Sequence, residues 1–174
     1  MNPSSVSESS GQLHNVFVYG TLQADEVLKV LLNRIPTSSF ATLSGFHRFS
    51  IKGRVYPAIV PAIGKQVSGK VLFDITDAEL NIFDKFEDFE YERDSFTVTL
   101  LGNLKELKTF AYTWRNKEDP NLYGDWNYEE WRLVNMEKFV KMSTEFKKNL
   151  QLEVPSTRVS IYECYHTENF NIDS

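Results

Sequence analysis

At 174 residues, 41% hydrophobic and 14% aromatic, the chain has the length and composition of one globular domain with a real core, which excludes a disordered protein. Its 24 acidic against 19 basic residues leave a formal charge of -5, and the bases are scattered. The densest basic run, Lys138 to Lys148, alternates with Glu137 and Glu145 as a solvated helix face does, so a nucleic-acid partner is not expected.

The amino terminus, "MNPSSVSESSGQLHN", has neither the basic patch nor the apolar run of a secretory signal, and residues 1–12 read as a flexible segment. No stretch has the apolar length of a membrane span, and the single cysteine, Cys164, allows no intrachain disulfide and fits a reducing compartment. The expectation is a soluble, cytoplasmic protein with no membrane partner.

The first predicted strand is Asn15 to Tyr19, inside "VFVYGTLQ". After the Gly20 break, "ADEVLKVLLNR" places Val27, Leu28, Leu31 and Leu32 on one side of a helix, so the motif is a strand, turn, helix junction. "SSFATLSGFHRFSIKG" reads as a strand with glycine-marked irregularity, "RVYPAIVPA" as a Pro-limited strand that is short or at an edge, and "KQVSGKVLFDI" as a further strand. Thr76 opens a helix to about Glu87, because "TDAE" is a capping box in which Thr76 serves the third-position amide and Glu79 reaches back. "YERDSFTVTLL" and "LKELKTFAYTW" form a hairpin around Gly102-Asn103, and no second hairpin signal is evident.

"WNYEEWRLVNMEKFVKMSTEFKKNL" carries Trp131, Val134, Phe139 and Met142 at near-helical intervals and predicts one long amphipathic helix lying as a lid or brace on the sheet. The domain is thus expected to span 13–148. Residues 149–174 read as a tail, either a disordered extension or a docked strand near Val159 to Tyr165. The sum is an α+β domain with a small curled sheet and two or three helices.

Metal-binding spacing is absent: His14, His47, His166 and Cys164 are dispersed, and "CYH" is the only near pair, so no metal site is expected. No GxSxG elbow, GxxxxGK[ST] or GxGxxG pattern occurs either. The helix after Thr76 is more informative. At about 100° per residue, Leu80, Ile82, Phe83 and Phe86 form its apolar arc, and Glu87 projects between Leu80 and Phe83. Burial and the negative end of the helix dipole would both raise the pKa of such a carboxyl group toward the range of a general base. A frayed helix end, or an ion pair with a base such as Arg93, would account for the same residue, and periodicity leaves these readings open. The Gly20 break is likewise an ordinary turn or a set of outward amides able to hold an anion.

Two segments, "VFVYGTL" and "FDKFEDFEYERDSFTV", together resemble the γ-glutamylcyclotransferase superfamily, whose hallmarks are a Tyr-Gly-Ser/Thr-Leu turn and an Asp-x-x-Glu segment followed by Tyr-x-Arg. Tyr19, Gly20, Thr21 and Leu22 match the first, and Asp84, Glu87, Tyr91 and Arg93 match the second. "KEDPNLYGDWNYEEWRLVNMEKFV" is similar to the carboxyl-terminal segment of the plant avirulence-induced-gene (AIG2-like) branch, whose members are named for induction during defence.

The resemblance implies a γ-glutamylcyclotransferase-like small mixed β-barrel with flanking helices, a pocket beside the Tyr19 turn, and Glu87 as the catalytic residue. The implied chemistry is acyl transfer: the α-amine of a γ-glutamyl group attacks its own γ-carbonyl, releasing an amine and 5-oxoproline, with no cofactor. The substrate-binding positions are then Tyr19, Gly20, Thr21, Leu22, Gln23 and Ala24, whose amides hold the α-carboxylate of a small γ-glutamyl compound. The Tyr19 hydroxyl is assigned either to substrate or to a buried structural hydrogen bond, and Arg93 to structure beside Asp84. The competing reading is an inactive ligand-binding or stress-response module that keeps the pocket and engages an unknown protein partner through its long helix and tail.

Overall fold

The computed structural model describes residues 11–153 together with Arg158, Val159, Ile161 and Tyr162. The expected flexible segment 1–12 lies outside the described residues except for Gly11 and Gln12, as does most of the tail beyond Glu153. In chain order the elements are β1 (Leu13–Val18), a 3-10 turn (Thr21–Gln23), α1 (Asp25–Leu32), β2 (Ser38–Ile51), β3 (Ala58–Thr76), α2 (Asp77–Glu87), a second 3-10 turn (Asp88–Glu90), β4 (Tyr91–Leu100), β5 (Glu106–Trp114), β6 (Leu122–Tyr123), α3 (Tyr128–Val134) and α4 (Met136–Gln151).

The strands run in the order β3-β1-β5-β4-β2-β6, and a further β3–β2 pairing closes the first five into a small barrel. The β1–β5 pair is parallel at Val16 and Phe110, while the other pairs are antiparallel, so the barrel is mixed as expected. Alternate residues of β1 point to opposite faces. Phe17 packs with Ala41, Ile59, Val71, Val98 and Ala111, a cluster drawn from all five ring strands and from no helix, which fills the barrel. Val16 and Val18 join Leu28, Leu31, Phe83, Phe86, Phe139 and Phe146 in a second cluster between the barrel and its helices.

Three expectations are corrected. The second half of "RVYPAIVPA", from Ala58, and the whole of "KQVSGKVLFDI" lie in one 19-residue strand, β3, while Arg54 to Pro57 precede it. The pairing jumps from Ser44 with Gln66 to Phe46 with Pro61, and Gly45 and Gly64 both take positive φ, 86° and 77°, at this irregularity. Pro61 therefore sits where the ladder is already interrupted, which is where a residue without an N-H is tolerated. The second correction follows from the first, because β2 and β3 form a long antiparallel hairpin that no two-residue turn signal announces.

Third, the long helix is two, α3 and α4, bent at Asn135. The backbone bonds continue across the bend, from the Asn135 amide to the Trp131 carbonyl at 2.7 Å and from the Phe139 amide to the Asn135 carbonyl at 3.0 Å. In a straight helix residues eight apart are separated by about 12 Å along the axis. The bend brings the Trp131 and Phe139 rings to 5.6 Å, edge to face in the same core. The pair of helices braces α1: Arg132 grips Glu26 through two bonds of 2.7 and 3.0 Å, and Lys147 donates to the Leu31 carbonyl at the end of α1.

Candidate active site

The turn after β1 is held by its carbonyls and leaves amides free. The Tyr19 carbonyl accepts from Arg48 Nη1 at 2.8 Å and from Gln23 Nε2 at 2.9 Å, and the Gln23 carbonyl accepts from Lys70 Nζ at 2.9 Å. Inside the turn, the Gln23 amide donates to the Gly20 carbonyl and the Ala24 amide to the Thr21 carbonyl. Among the described residues the amides of Gly20, Thr21 and Leu22 find no such backbone acceptor, which is the ordinary state of a helical start. The sequence-predicted set therefore divides: Tyr19, Gly20, Thr21 and Leu22 line a cleft, whereas Gln23 and Ala24 spend their amides on the turn itself.

The opposite wall comes from α2. Its start is the capping box read from sequence, with Thr76 Oγ1 accepting from the Glu79 amide at 3.1 Å and Glu79 Oε1 accepting from the Thr76 amide at 3.0 Å. From that fixed start the helix buries Leu80, Phe83 and Phe86 and delivers Glu87, its last residue, to the same cleft as the Tyr19 turn. The remaining wall includes Tyr56, Pro57, Tyr91, Tyr112, Phe139 and Arg158.

Burial among these aromatic rings pushes the Glu87 carboxyl up to about 7; the nearby Arg158 cation opposes that shift, and the Glu90 and Asp84 carboxylates add to it. Among the described residues the Glu87 carboxylate has no hydrogen-bond or ion-pair partner. The alternative of an ion pair with Arg93 is corrected: Arg93 Nε lies 3.0 Å from Asp84 Oδ1, its expected structural place. The four phenols around the cleft are all engaged. Tyr19 donates to the Tyr112 carbonyl, Tyr91 to the Pro57 carbonyl at 2.6 Å, Tyr112 to Asp84 Oδ1 at 2.6 Å and Tyr56 to Glu90 Oε1 at 2.7 Å. Burial raises the pKa of each, so they stay protonated donors and form a scaffold.

Sequence reasoning did not find Arg158. Its Nε donates to the Phe86 carbonyl at 2.7 Å and its Nη2 to the Glu87 carbonyl at 3.1 Å, so a side chain from the tail caps the carboxyl end of α2. Val159, Ile161 and Tyr162 are buried beside it. The signal that marks this segment is the apolar spacing of Val159, Ile161 and Tyr162 directly after an arginine. Among the described residues no cluster of His, Cys, Asp and Glu could hold a metal ion; Cys164 and His166 lie outside them.

Comparisons with known proteins give the family and the fold. A family model described as "Gamma-glutamyl cyclotransferase, AIG2-like" matches residues 16–133. AIG2-like protein D of Arabidopsis thaliana is 58% identical over 141 residues, 80% of this chain and 93% of that protein. The solution structure of another Arabidopsis thaliana protein, 42% identical, superposes with a TM-score of 0.63 over 84% of this chain and 96% of the other. A structure named "Gamma-glutamyl cyclotransferase" shares the fold at a TM-score of 0.53 and 16% identity, over 90% of this chain and 99% of its own. The chain belongs to the AIG2-like γ-glutamyl cyclotransferase family.

Proposed function

We propose that the protein is a γ-glutamylcyclotransferase that converts a small γ-glutamyl compound into 5-oxoproline and a free amine, with Glu87 as its general base and acid. The observation that carries this reading is the shared cleft: a carboxyl group held near neutral pKa on one wall, and the Gly20, Thr21 and Leu22 amides on the other. Backbone amides at a helical start suit a carboxylate because they are fixed and do not titrate.

With the α-carboxylate on those amides, the cleft favours the folded substrate conformer in which the α-nitrogen meets its own γ-carbonyl. The α-nitrogen forms a bond to the γ-carbonyl carbon, and the bond from that carbon to the departing nitrogen breaks. Over the reaction the α-ammonium loses two protons to become the ring N-H, and the departing amine gains two to leave as an ammonium. A single carboxyl group can carry them one at a time if its pKa lies near the working pH, which is the state burial creates at Glu87. The bonds made and broken require no electron transfer. The engaged phenols of Tyr19, Tyr91 and Tyr112 hold the walls in place.

The test is incubation of the purified protein with a panel of γ-glutamyl amino acids, γ-glutamylamines and other γ-glutamyl conjugates, with 5-oxoproline measured by mass spectrometry. Release from at least one class is expected. Binding without release from any of them would replace the enzyme reading with a ligand-binding module.

A further inference from the structure

Arg158 lies beyond the 16–133 segment that carries the family match, yet it is 2% exposed and its guanidinium lies 4.4 Å from the centroid of the Tyr56 ring. One edge of the guanidinium is spent on the protein: Nε on the Phe86 carbonyl, and Nη2 on the Glu87 carbonyl and 3.6 Å from Glu90 Oε1. Among the described residues the remaining nitrogen, Nη1, is buried and has no acceptor. Unmet donors on a buried cation are costly, and capping α2 does not need them. Arg48 and Arg54 also hold an unpartnered buried Nε, but neither lines the cleft, whereas Arg158 does.

Charge singles out the same group. Among the described lining residues Arg158 is the only cation, and Glu87 shares its surroundings with the Asp84 and Glu90 carboxylates. A ligand that brings another carboxylate into this acidic neighbourhood meets only dipoles at the Gly20 to Leu22 amides. A guanidinium supplies the full opposite charge together with directed N-H groups.

We infer that Arg158 Nη1 hydrogen-bonds the α-carboxylate of the γ-glutamyl unit, so that the carboxyl-terminal segment completes the substrate site with the charge that the turn amides lack. The inference rests on the cyclotransferase reading, since it takes the ligand from there.

The test uses the full chain and two probes, 5-oxoproline and its carboxamide, which differ only in the charged group. Each is titrated by NMR into the wild type, Arg158→Gln and Arg158→Lys. The wild type is expected to prefer the carboxylate by about 10- to 100-fold, the range of a charge-assisted hydrogen bond. Arg158→Gln should lose that preference, and Arg158→Lys, which keeps a charge without the fork, should lose part of it. A role confined to capping α2 would weaken both probes alike and leave their ratio unchanged, and that result, or a wild type without preference, overturns the inference. If Arg158→Gln fails to fold, Arg158→Lys decides: a ratio reduced several-fold supports the assignment and an unchanged ratio ends it. Absence of 5-oxoproline release by the wild type would count against the cyclotransferase reading instead, whatever these ratios are.

Discussion

The Pro57 ring occupies the space that a side chain on Gly20 would need: a Cβ placed there would lie 2.8 Å from Pro57 Cγ and 2.9 Å from Pro57 Cδ. The turn thereby packs directly against the residue that precedes β3, and the Pro57 carbonyl in turn accepts from the Tyr91 hydroxyl. Gly20→Ala is expected to cost about 1–3 kcal/mol by overpacking, and to lower kcat/KM by shifting the Thr21 and Leu22 amides. Urea unfolding and kinetics check both, and Pro57→Ala in the Gly20→Ala background should recover part of the loss, as expected of two residues in contact.

Activity should follow the ionisation of Glu87. With its carboxyl at about 7, the fraction able to accept a proton falls tenfold per pH unit below that value, so kcat/KM should decline on the acid side with an apparent pKa near 7. A profile of kcat/KM between about pH 5 and 9 measures this. A flat acid limb down to pH 5 would show that Glu87 does not titrate in the rate-limiting protonic step.

Stability should carry the opposite signature. The folded pKa of Glu87, about 7, lies above its ordinary value of 4.5, so the folded state binds the proton more tightly than the unfolded one. The contribution of Glu87 to stability is therefore fully present below about pH 4.5 and is lost as pH rises through 7. Glu87→Gln removes the desolvated charge, and should stabilise the fold at pH 8 by on the order of 2–3 kcal/mol, with little effect at pH 4. Thermal unfolding of wild type and variant at the two pH values tests it.

The capping box should separate helix stability from chemistry. Thr76→Ala removes one amide partner and is expected to cost about 1 kcal/mol. Glu79→Ala should cost more, because Glu79 also takes two bonds of 2.7 Å from Arg34. Both losses are read from urea unfolding, and Thr76→Ala should keep near wild-type kcat under conditions where it is folded, since Thr76 does not line the cleft.

Local features were legible in the sequence, and long-range ones were not. The capping box of Thr76 and Glu79 and the apolar arc that singles out Glu87 repeat within a few residues, so periodicity finds them. The β4–β5 hairpin was legible for the same reason. The β3 strand was read as two because the irregularity that accommodates Pro61 depends on the partner strand β2. The bend at Asn135 depends on a core that both Trp131 and Phe139 must reach. Arg158 was missed because its partners, the carbonyls of Phe86 and Glu87, are backbone groups with no sequence signal, supplied by a helix distant in the chain. The turn amides were legible as a group, but only the backbone bonds distinguish those of Gly20 to Leu22, which have no backbone acceptor among the described residues, from those of Gln23 and Ala24.

The most direct test of the central claim is 5-oxoproline release by Glu87→Gln, on whichever γ-glutamyl compound the wild type turns over, at pH 7.5 with folding verified by thermal unfolding. Loss of the base should lower kcat by at least about 100-fold while the variant remains folded and binds 5-oxoproline. A folded Glu87→Gln protein that turns over at the wild-type rate would contradict the account.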